Sequence, residues 1–240
     1  MNRNQLKLLA LLTMTIDHIG AFVLTGNAYL WMRVIGRLAF PIFIFLLAEG
    51  AHHSKTKRRD WGLIILGFAI ATQFLLNWVN AGFVNIFFLF FLGLIGFEAS
   101  DRGAVWVFIP LAFIAEYFKV DYGMYGIAAM AFFYLLEGKR KQQLGSFALT
   151  TIVYVFLNIS GSFTTFNAFV AAMGVAFSHF DIYWVYFIQL FAIAALIPIA
   201  LYNPSKNKRI ANPSLYLVWK YFFYVYYPLH IVVLCLIGIR

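Results

Sequence analysis

The chain has 240 residues, of which 63% are hydrophobic and only 11% are charged. A soluble domain of this length does not need so much apolar surface. The composition therefore excludes an ordinary soluble enzyme and favours a helical protein that crosses a membrane many times. The net charge of +9 comes from short basic clusters between apolar segments, as in membrane proteins, so no nucleic-acid partner is predicted.

Apolar segments separated by short polar turns cover the whole chain. They predict an all-α fold in one domain, residues 1–240, with about nine to ten transmembrane helices around a polar cavity inside the membrane. The first segment has no cleavage site after it, so we expect it to remain as a helix. In chain order the predicted segments are 6–24, 29–51, 61–81, 83–99, 104–118, 122–136, 145–157, 166–177, 182–201 and 215–239.

The basic clusters predict the orientation. The N-terminus, 55–59 and 139–141 lie on one side if the first six segments all cross, and that side is predicted to be cytoplasmic. The protein is then a multi-pass protein of the bacterial plasma membrane with a cytoplasmic N-terminus. Segment 166–177 is short for a span. Nine crossings, with this segment re-entrant, place the basic linker 206–209 on the cytoplasmic side, whereas ten crossings place it outside.

The first apolar segment carries Asp17 and His18 near its middle. A charged group at the bilayer centre costs about 2.5–3.5 kcal/mol, and such groups usually face the bundle interior or a water-filled cavity. Lys7 precedes His18 by three helical turns, so the two side chains point the same way, about 16 Å apart along the axis. They are either the two ends of one channel, or a snorkelling lysine and a histidine bound to a backbone carbonyl.

The second segment adds two arginines to the predicted interior. Arg33 and Arg37 are four residues apart and share one helix face. Arg37 lies near mid-membrane and is expected to pair with Asp17. Pro41 is expected to disturb the helix and to free backbone carbonyls beside a cavity. Glu49 lies at the cytoplasmic end of the segment.

Two later segments carry further polar side chains. His230 lies inside the last segment, with Tyr224 and Tyr227 on the same stripe. Alone, this stripe indicates helix packing. Together with the ionisable residues of the first two segments it indicates a shared cavity. Asp121 and Tyr122 are predicted at its outer mouth.

Five blocks of the sequence, from residue 6 to about 232, together resemble one known family. They are Leu6-Lys7-x-x-Ala10-x-x-x-Met14-x-x-Asp17-His18, Arg33-x-x-Gly36-Arg37-Leu38-Ala39-Phe40-Pro41-Ile42-Phe43, Ala48-Glu49-Gly50, Asp121-Tyr122-Gly123-x-Tyr125-Gly126 and Phe222-Phe223-Tyr224-x-x-Tyr227-Pro228-x-His230. With these blocks the chain resembles the TraX family, named for conjugal-transfer proteins that acetylate the pilin N-terminus. It is also similar to the wider membrane acyltransferase-3 group.

The resemblance implies an acetyltransferase. In the acyltransferase-3 group, an arginine is followed eleven residues later by a histidine that is held to be catalytic. Lys7 and His18 match that spacing, with lysine in place of arginine, so phosphate attraction is kept but the planar fork is lost. The implied donor is acetyl-CoA. The implied acceptor is a protein or glycan that is outside the cytoplasm or inserted in the membrane, such as a pilin-like N-terminus.

Residue roles follow from the resemblance and from the chemistry of acyl transfer, which needs a base and oxyanion donors. His18 is the predicted general base, and no metal is predicted. Asp17, through Arg37, sets the local charge, and the oxyanion donor is left open among Arg33, Arg37, Tyr227 and His230. The predicted catalytic residues are His18, Asp17, Arg37 and His230; the predicted acetyl-CoA ligands are Lys7, Arg33, Lys57 and Arg58; the predicted substrate-binding residues are Glu49, Asp121, Tyr122 and Tyr227.

Two other classes of function fit the same residues. A proton- or ion-coupled transporter also needs buried Asp, His and Arg side chains. A non-catalytic membrane partner in a secretion apparatus is the third class.

Overall fold

A computed structural model describes residues 1–24, 27–79, 83–160, 166–179, 184, 186–207 and 212–238. The described residues form helices with short 3-10 turns and one isolated β-bridge, which confirms the all-α prediction for this part of the chain. The main helices are α1 (Arg3–Val23), α2 (Asn27–Gly36), α3 (Ala39–His53), α4 (Arg58–Trp78), α5 (Ile86–Asp101), α6 (Phe108–Tyr117), α7 (Gly123–Leu135), α8 (Arg140–Ser160) and α9 (Phe166–Ser178). A 3-10 segment, Ile188–Ala195, continues as the short helix Leu196–Ala200, and the C-terminal helix is Pro213–Gly238.

Five helical stretches among the described residues are long and apolar enough to cross a membrane. They support the prediction of a membrane protein. The remaining predicted segments form shorter helices, so the number of crossings stays a prediction. The five stretches are Arg3–Val23, Tyr29–His53, Lys55–Trp78, Arg140–Ile159 and Ser214–Gly238.

The second predicted segment is divided into two helices. α2 ends at Gly36 and α3 begins at Ala39, with a turn at residues 37–38. Proline has no N–H, so Pro41 cannot bond the carbonyl of Arg37 as a helical residue would. The expected disturbance at Pro41 therefore falls one turn earlier, and it places Arg37 at the interruption.

Arg3 at the start of α1 pairs with Glu49 near the end of α3, and Arg58 at the start of α4 bonds the Ala51 carbonyl. Arg140 at the start of α8 lies over the ring of Tyr202, so these helix ends lie at one end of the bundle. We call the end that holds the N-terminus the basic end, because the basic starts of α4 and α8 also lie there, and we call the opposite end the far end.

The Met1 ammonium donates to the Leu201 carbonyl, and the Asn203 amide donates to the Met1 carbonyl over 2.9 Å. The described part of the linker after Leu201 thus lies at the basic end; Lys208 and Arg209 lie outside the described residues.

Arg58 holds the basic end of the bundle together. Its side chain is 2% exposed, and it donates to Asp101 (3.0 Å), to the Tyr134 hydroxyl (2.9 Å) and to the Ala51 carbonyl (2.9 Å). Burial raises the pKa of Asp101, but hydrogen bonds from Tyr134, Arg58 and Lys55 outweigh it and hold the pKa below its ordinary value of 3.8. The structure therefore argues against the predicted acetyl-CoA role of Arg58, because both of its terminal nitrogens are already bound by carboxylate, hydroxyl and carbonyl groups.

Helix α1 is central to the packing. It packs against α2, α3 and the C-terminal helix, so the first, second and last predicted segments meet. Their contact brings the ionisable residues of three distant parts of the sequence together.

Candidate functional site

A buried ion cluster joins α1 to α2. The Asp17 side chain is 9% exposed, and it accepts from Arg33 Nη1 at 2.5 Å and from Arg37 Nη2 at 2.9 and 3.1 Å. The other terminal nitrogen of Arg37 donates to the side chain of Gln189 at 3.1 Å. The predicted Arg37–Asp17 pair is confirmed, and Arg33 joins it. Both carboxylate oxygens of Asp17 therefore accept hydrogen bonds from arginines. Asp17 contributes negative charge to the site, but its carboxylate is not free to bind another group.

Gly36 makes this cluster sterically feasible. A Cβ atom at this position would lie 2.0 Å from Asp17 Oδ1, far inside van der Waals contact. Only glycine lets α2 approach the Asp17 carboxylate so closely.

We therefore expect Gly36→Ala to destabilise the protein by about 1–3 kcal/mol through overpacking, and to displace Asp17 from its arginines. Gly67→Ala is the matched control, since a Cβ there meets nothing within 4 Å. Alanine at an open helical position stabilises by about 0.5–1 kcal/mol. Thermal unfolding in detergent measures both variants, and an unchanged Gly36→Ala would contradict the close approach.

His18 and His230 are bonded to each other. His18 Nδ1 lies 2.6 Å from His230 Nε2, and His230 Nδ1 lies 2.7 Å from the Tyr226 carbonyl. A carbonyl only accepts, so His230 Nδ1 carries a hydrogen and its Nε2 is an acceptor in the neutral ring. His18 Nδ1–H then donates to it, which leaves the lone pair of His18 on Nε2. An imidazole in this tautomer can take a proton at Nε2.

A cavity of about 600 Å³ reaches from the basic end to His18. This volume lies within the range of ligand-binding pockets, about 300–1,000 Å³. Leu11, Met14 and aromatic side chains line its middle. Lys7 and His18 both line it, as the predicted channel between them requires. Other lining residues at its inner end are Asp17, Asp121, Tyr122 and Tyr227.

The cavity opens between basic side chains. Besides Lys7, the predicted Lys57 lines it, and so does Lys220 from the C-terminal helix. Sequence reasoning missed Lys220, although it lies one turn before Tyr224 on the same stripe as Tyr227. Extension of that stripe towards the N-terminus of the helix would have found it.

A smaller cavity of about 180 Å³ lies towards the far end, and Arg33 and Arg37 line it. Asp17, which both arginines bind, lines the larger cavity. The ion cluster therefore lies between the two cavities. Arg33 was predicted to bind acetyl-CoA. The structure does not support that role, because Arg33 lines the smaller cavity and not the larger one.

The remaining predicted residues occupy different places. Asp121 and Tyr122 line the inner end of the larger cavity rather than its outer mouth. Glu49 pairs with Arg3 and accepts from the Tyr202 hydroxyl at 2.7 Å, so it fixes Arg3 and does not line either cavity. The substrate-binding role of Glu49 stays a prediction that neither cavity supports.

Comparison with known proteins bears on this arrangement. The family profile described as TraX protein matches residues 2–238. The chain belongs to the TraX family. This TraX chain is 24% identical over 252 residues to a probable fimbrial assembly protein FimC, serogroup H1, of Dichelobacter nodosus. The match covers 96% of the chain and 93% of that relative, whereas no solved structure matches.

The TraX match spans all the elements that build the site. The matched residues include Lys7 and His18 of α1, Arg33 of α2, Arg37 in the turn that follows, and His230 of the C-terminal helix. The site of this TraX chain therefore lies within the residues that the family profile matches.

Proposed function

We propose that the protein is a membrane-embedded acyltransferase. It moves an acetyl group from acetyl-CoA, which enters at the basic end, to an amine or hydroxyl of an acceptor. His18 acts as the general base. The observation that carries the proposal is the His18 imidazole, with its lone pair on Nε2, on the lining of a cavity that opens between lysines.

The charge distribution of the larger cavity supports acetyl-CoA as the donor. Lys7, Lys57 and Lys220 at the opening suit the phosphates of the coenzyme, because ammonium groups attract phosphate as point charges. The apolar middle of the cavity suits the pantetheine arm, which carries little charge. A thioester at the end of this arm would reach the inner end, where His18 lies.

The proposed reaction is a nucleophilic substitution at the thioester carbonyl. His18 Nε2 takes the proton of the acceptor amine or hydroxyl as the new bond to the carbonyl carbon forms. The tetrahedral oxyanion collapses, the C–S bond breaks, and the coenzyme thiolate leaves with the proton from His18. Of the four predicted oxyanion donors, Tyr227 lines the cavity, both nitrogens of His230 are engaged, and both arginines line the smaller cavity. We therefore assign the oxyanion to Tyr227.

The acceptor is proposed from the family. The relative from Dichelobacter nodosus is named for fimbrial assembly. We propose a membrane-inserted or extracytoplasmic amine or hydroxyl, such as a pilin-like N-terminus.

We propose nine crossings with a cytoplasmic basic end. The described linker lies beside the N-terminus, as nine crossings require and ten do not. Reporter fusions after residues 57 and 207 should both report the cytoplasm. Opposite sides for the two fusions would refute the proposed count.

An ion-coupled transporter remains the second candidate, because the ion cluster of Asp17, Arg33 and Arg37 lies between cavities towards the two ends of the bundle. Binding of acetyl-CoA distinguishes the two functions. Binding without ion flux in liposomes supports the acyltransferase, and flux without binding supports the transporter.

Acetyl-CoA should bind the purified protein in lipid nanodiscs, and Lys7→Gln should weaken binding by about tenfold, since a hydrogen bond to a charged group contributes about 1.5–3 kcal/mol. Arg59→Gln is the control, because Arg59 lies at the same end, is 91% exposed and does not line the cavity. Titration calorimetry measures all three proteins. Equal affinity in wild type and Lys7→Gln would remove the basic opening from the proposal.

A further inference from the structure

The smaller cavity has a lining suited to anions. Its basic residues are Arg33 and Arg37, and Tyr29 and Asn158 add polar side chains. No carboxylate belongs to its lining among the described residues. Asp17 and Asp121 attract the guanidiniums from the larger cavity.

Arg33 has donors to spare. Within the described chain, its side chain donates only through Nη1, to Asp17, so Nε and Nη2 have no protein acceptor. The side chain is 25% exposed, against 12% for Arg37. A guanidinium presents its donors in a planar fork that matches phosphate and carboxylate oxygens.

The volume limits what can enter. A cavity of about 180 Å³ is smaller than the usual ligand pocket of about 300–1,000 Å³, so a coenzyme does not fit. A single charged group with a few neighbouring atoms does fit.

We propose that this cavity is an anion site that binds one phosphate or carboxylate group through Arg33, with Arg37 beside it. The group is carried by a ligand that arrives from the far end of the bundle. The site exists whether or not the protein transfers acyl groups. Its use in holding an acceptor opposite the donor rests on the proposed function.

Binding of the anion has a local consequence. Arg33 uses one nitrogen for Asp17 and keeps two for the anion, so the ion cluster and the ligand share this arginine. An anion there adds negative charge beside two guanidiniums that lie close to His18 in the chain's interior. An anion bound in the smaller cavity would therefore change the electrostatic charge around His18.

Equilibrium binding of radiolabelled inorganic phosphate to the purified full chain in neutral nanodiscs tests the site. Chloride keeps the ionic strength constant. Arg33→Gln should lose one bound phosphate, or weaken it by about tenfold, as expected when a charged hydrogen-bond donor is removed. Arg33→Lys keeps the charge but loses the fork, so its affinity should be intermediate. Arg59→Gln should bind as the wild type does.

The two sources of the anion are separated by lipid composition. If a lipid headgroup occupies the site, phosphatidylglycerol in the nanodisc should displace the labelled phosphate. If the ligand is a soluble phosphate or carboxylate, phosphatidylglycerol should leave the labelled phosphate bound. Either outcome requires the site. If wild type, Arg33→Lys and Arg33→Gln all bind phosphate equally, the proposal is overturned. Loss of acyl transfer with phosphate binding intact would affect only the proposed function.

Discussion

Replacing His18 by glutamine should lower the rate of acyl transfer by about 10²–10⁴-fold, the usual contribution of a general base. The affinity for acetyl-CoA should stay near that of the wild type, because Lys7 at the cavity opening lies about three helical turns from His18. The loss would then appear in the chemical step and not in donor binding. Transfer of labelled acetyl groups to a membrane fraction measures the rate.

His53→Gln is the matched control for this prediction. His53 is a histidine at the basic end, its side chain is 58% exposed, and it does not line the larger cavity. Its replacement should leave the transfer rate unchanged. A His18→Gln protein that binds acetyl-CoA and transfers at the wild-type rate would remove His18 from the mechanism.

His230 should act through His18 rather than on the substrate. Its Nε2 accepts from His18 Nδ1, so it holds His18 in the tautomer with the lone pair on Nε2. Glutamine at position 230 offers a carbonyl oxygen as a substitute acceptor, whereas leucine offers none. His230→Gln should therefore retain more activity than His230→Leu, and equal rates would argue that His230 serves only in packing.

Arg37→Gln should destabilise the protein by about 3–5 kcal/mol, because removal of one partner from a buried ion pair leaves the other charge poorly compensated. The affected charge is Asp17, which takes two hydrogen bonds from Arg37 and keeps only the one from Arg33. Chemical unfolding in detergent measures the change.

The double variant Asp17→Asn, Arg37→Gln provides the comparison. Each single variant breaks the same Asp17–Arg37 bonds, so the loss in the double variant should be smaller than the sum of the two single losses. A single variant as stable as the wild type would contradict the buried pair. A double variant whose loss is the sum of the two single losses would show that the residues act independently.

Much of the site could be predicted from local spacing. The interval of eleven residues between Lys7 and His18 fixes a shared helix face, and both line the larger cavity. An unpaired charge inside a membrane is costly, so we expected Arg37 to pair with Asp17. The structure confirms this pair. Both inferences rest on helix geometry and charge, which the sequence carries directly.

Other parts depend on how distant helices meet. The bond between His18 and His230 joins residues 212 positions apart, and no local pattern predicts it. Arg58 looked like a free basic residue because its acceptors, Asp101 and Tyr134, come from α5 and α7. The smaller cavity is likewise formed by α2, α8 and the segment after residue 185, so no local pattern predicts that Arg33 lines a separate cavity.

The central claim is that the larger cavity brings an acetyl donor to His18. A cryo-electron-microscopy structure of the His18→Gln protein with acetyl-CoA bound tests it most directly, because turnover is blocked. The account predicts the nucleotide between Lys7, Lys57 and Lys220, with the thioester beside residue 18. A nucleotide bound outside this cavity, or a thioester separated from residue 18 by closed helices, would contradict it.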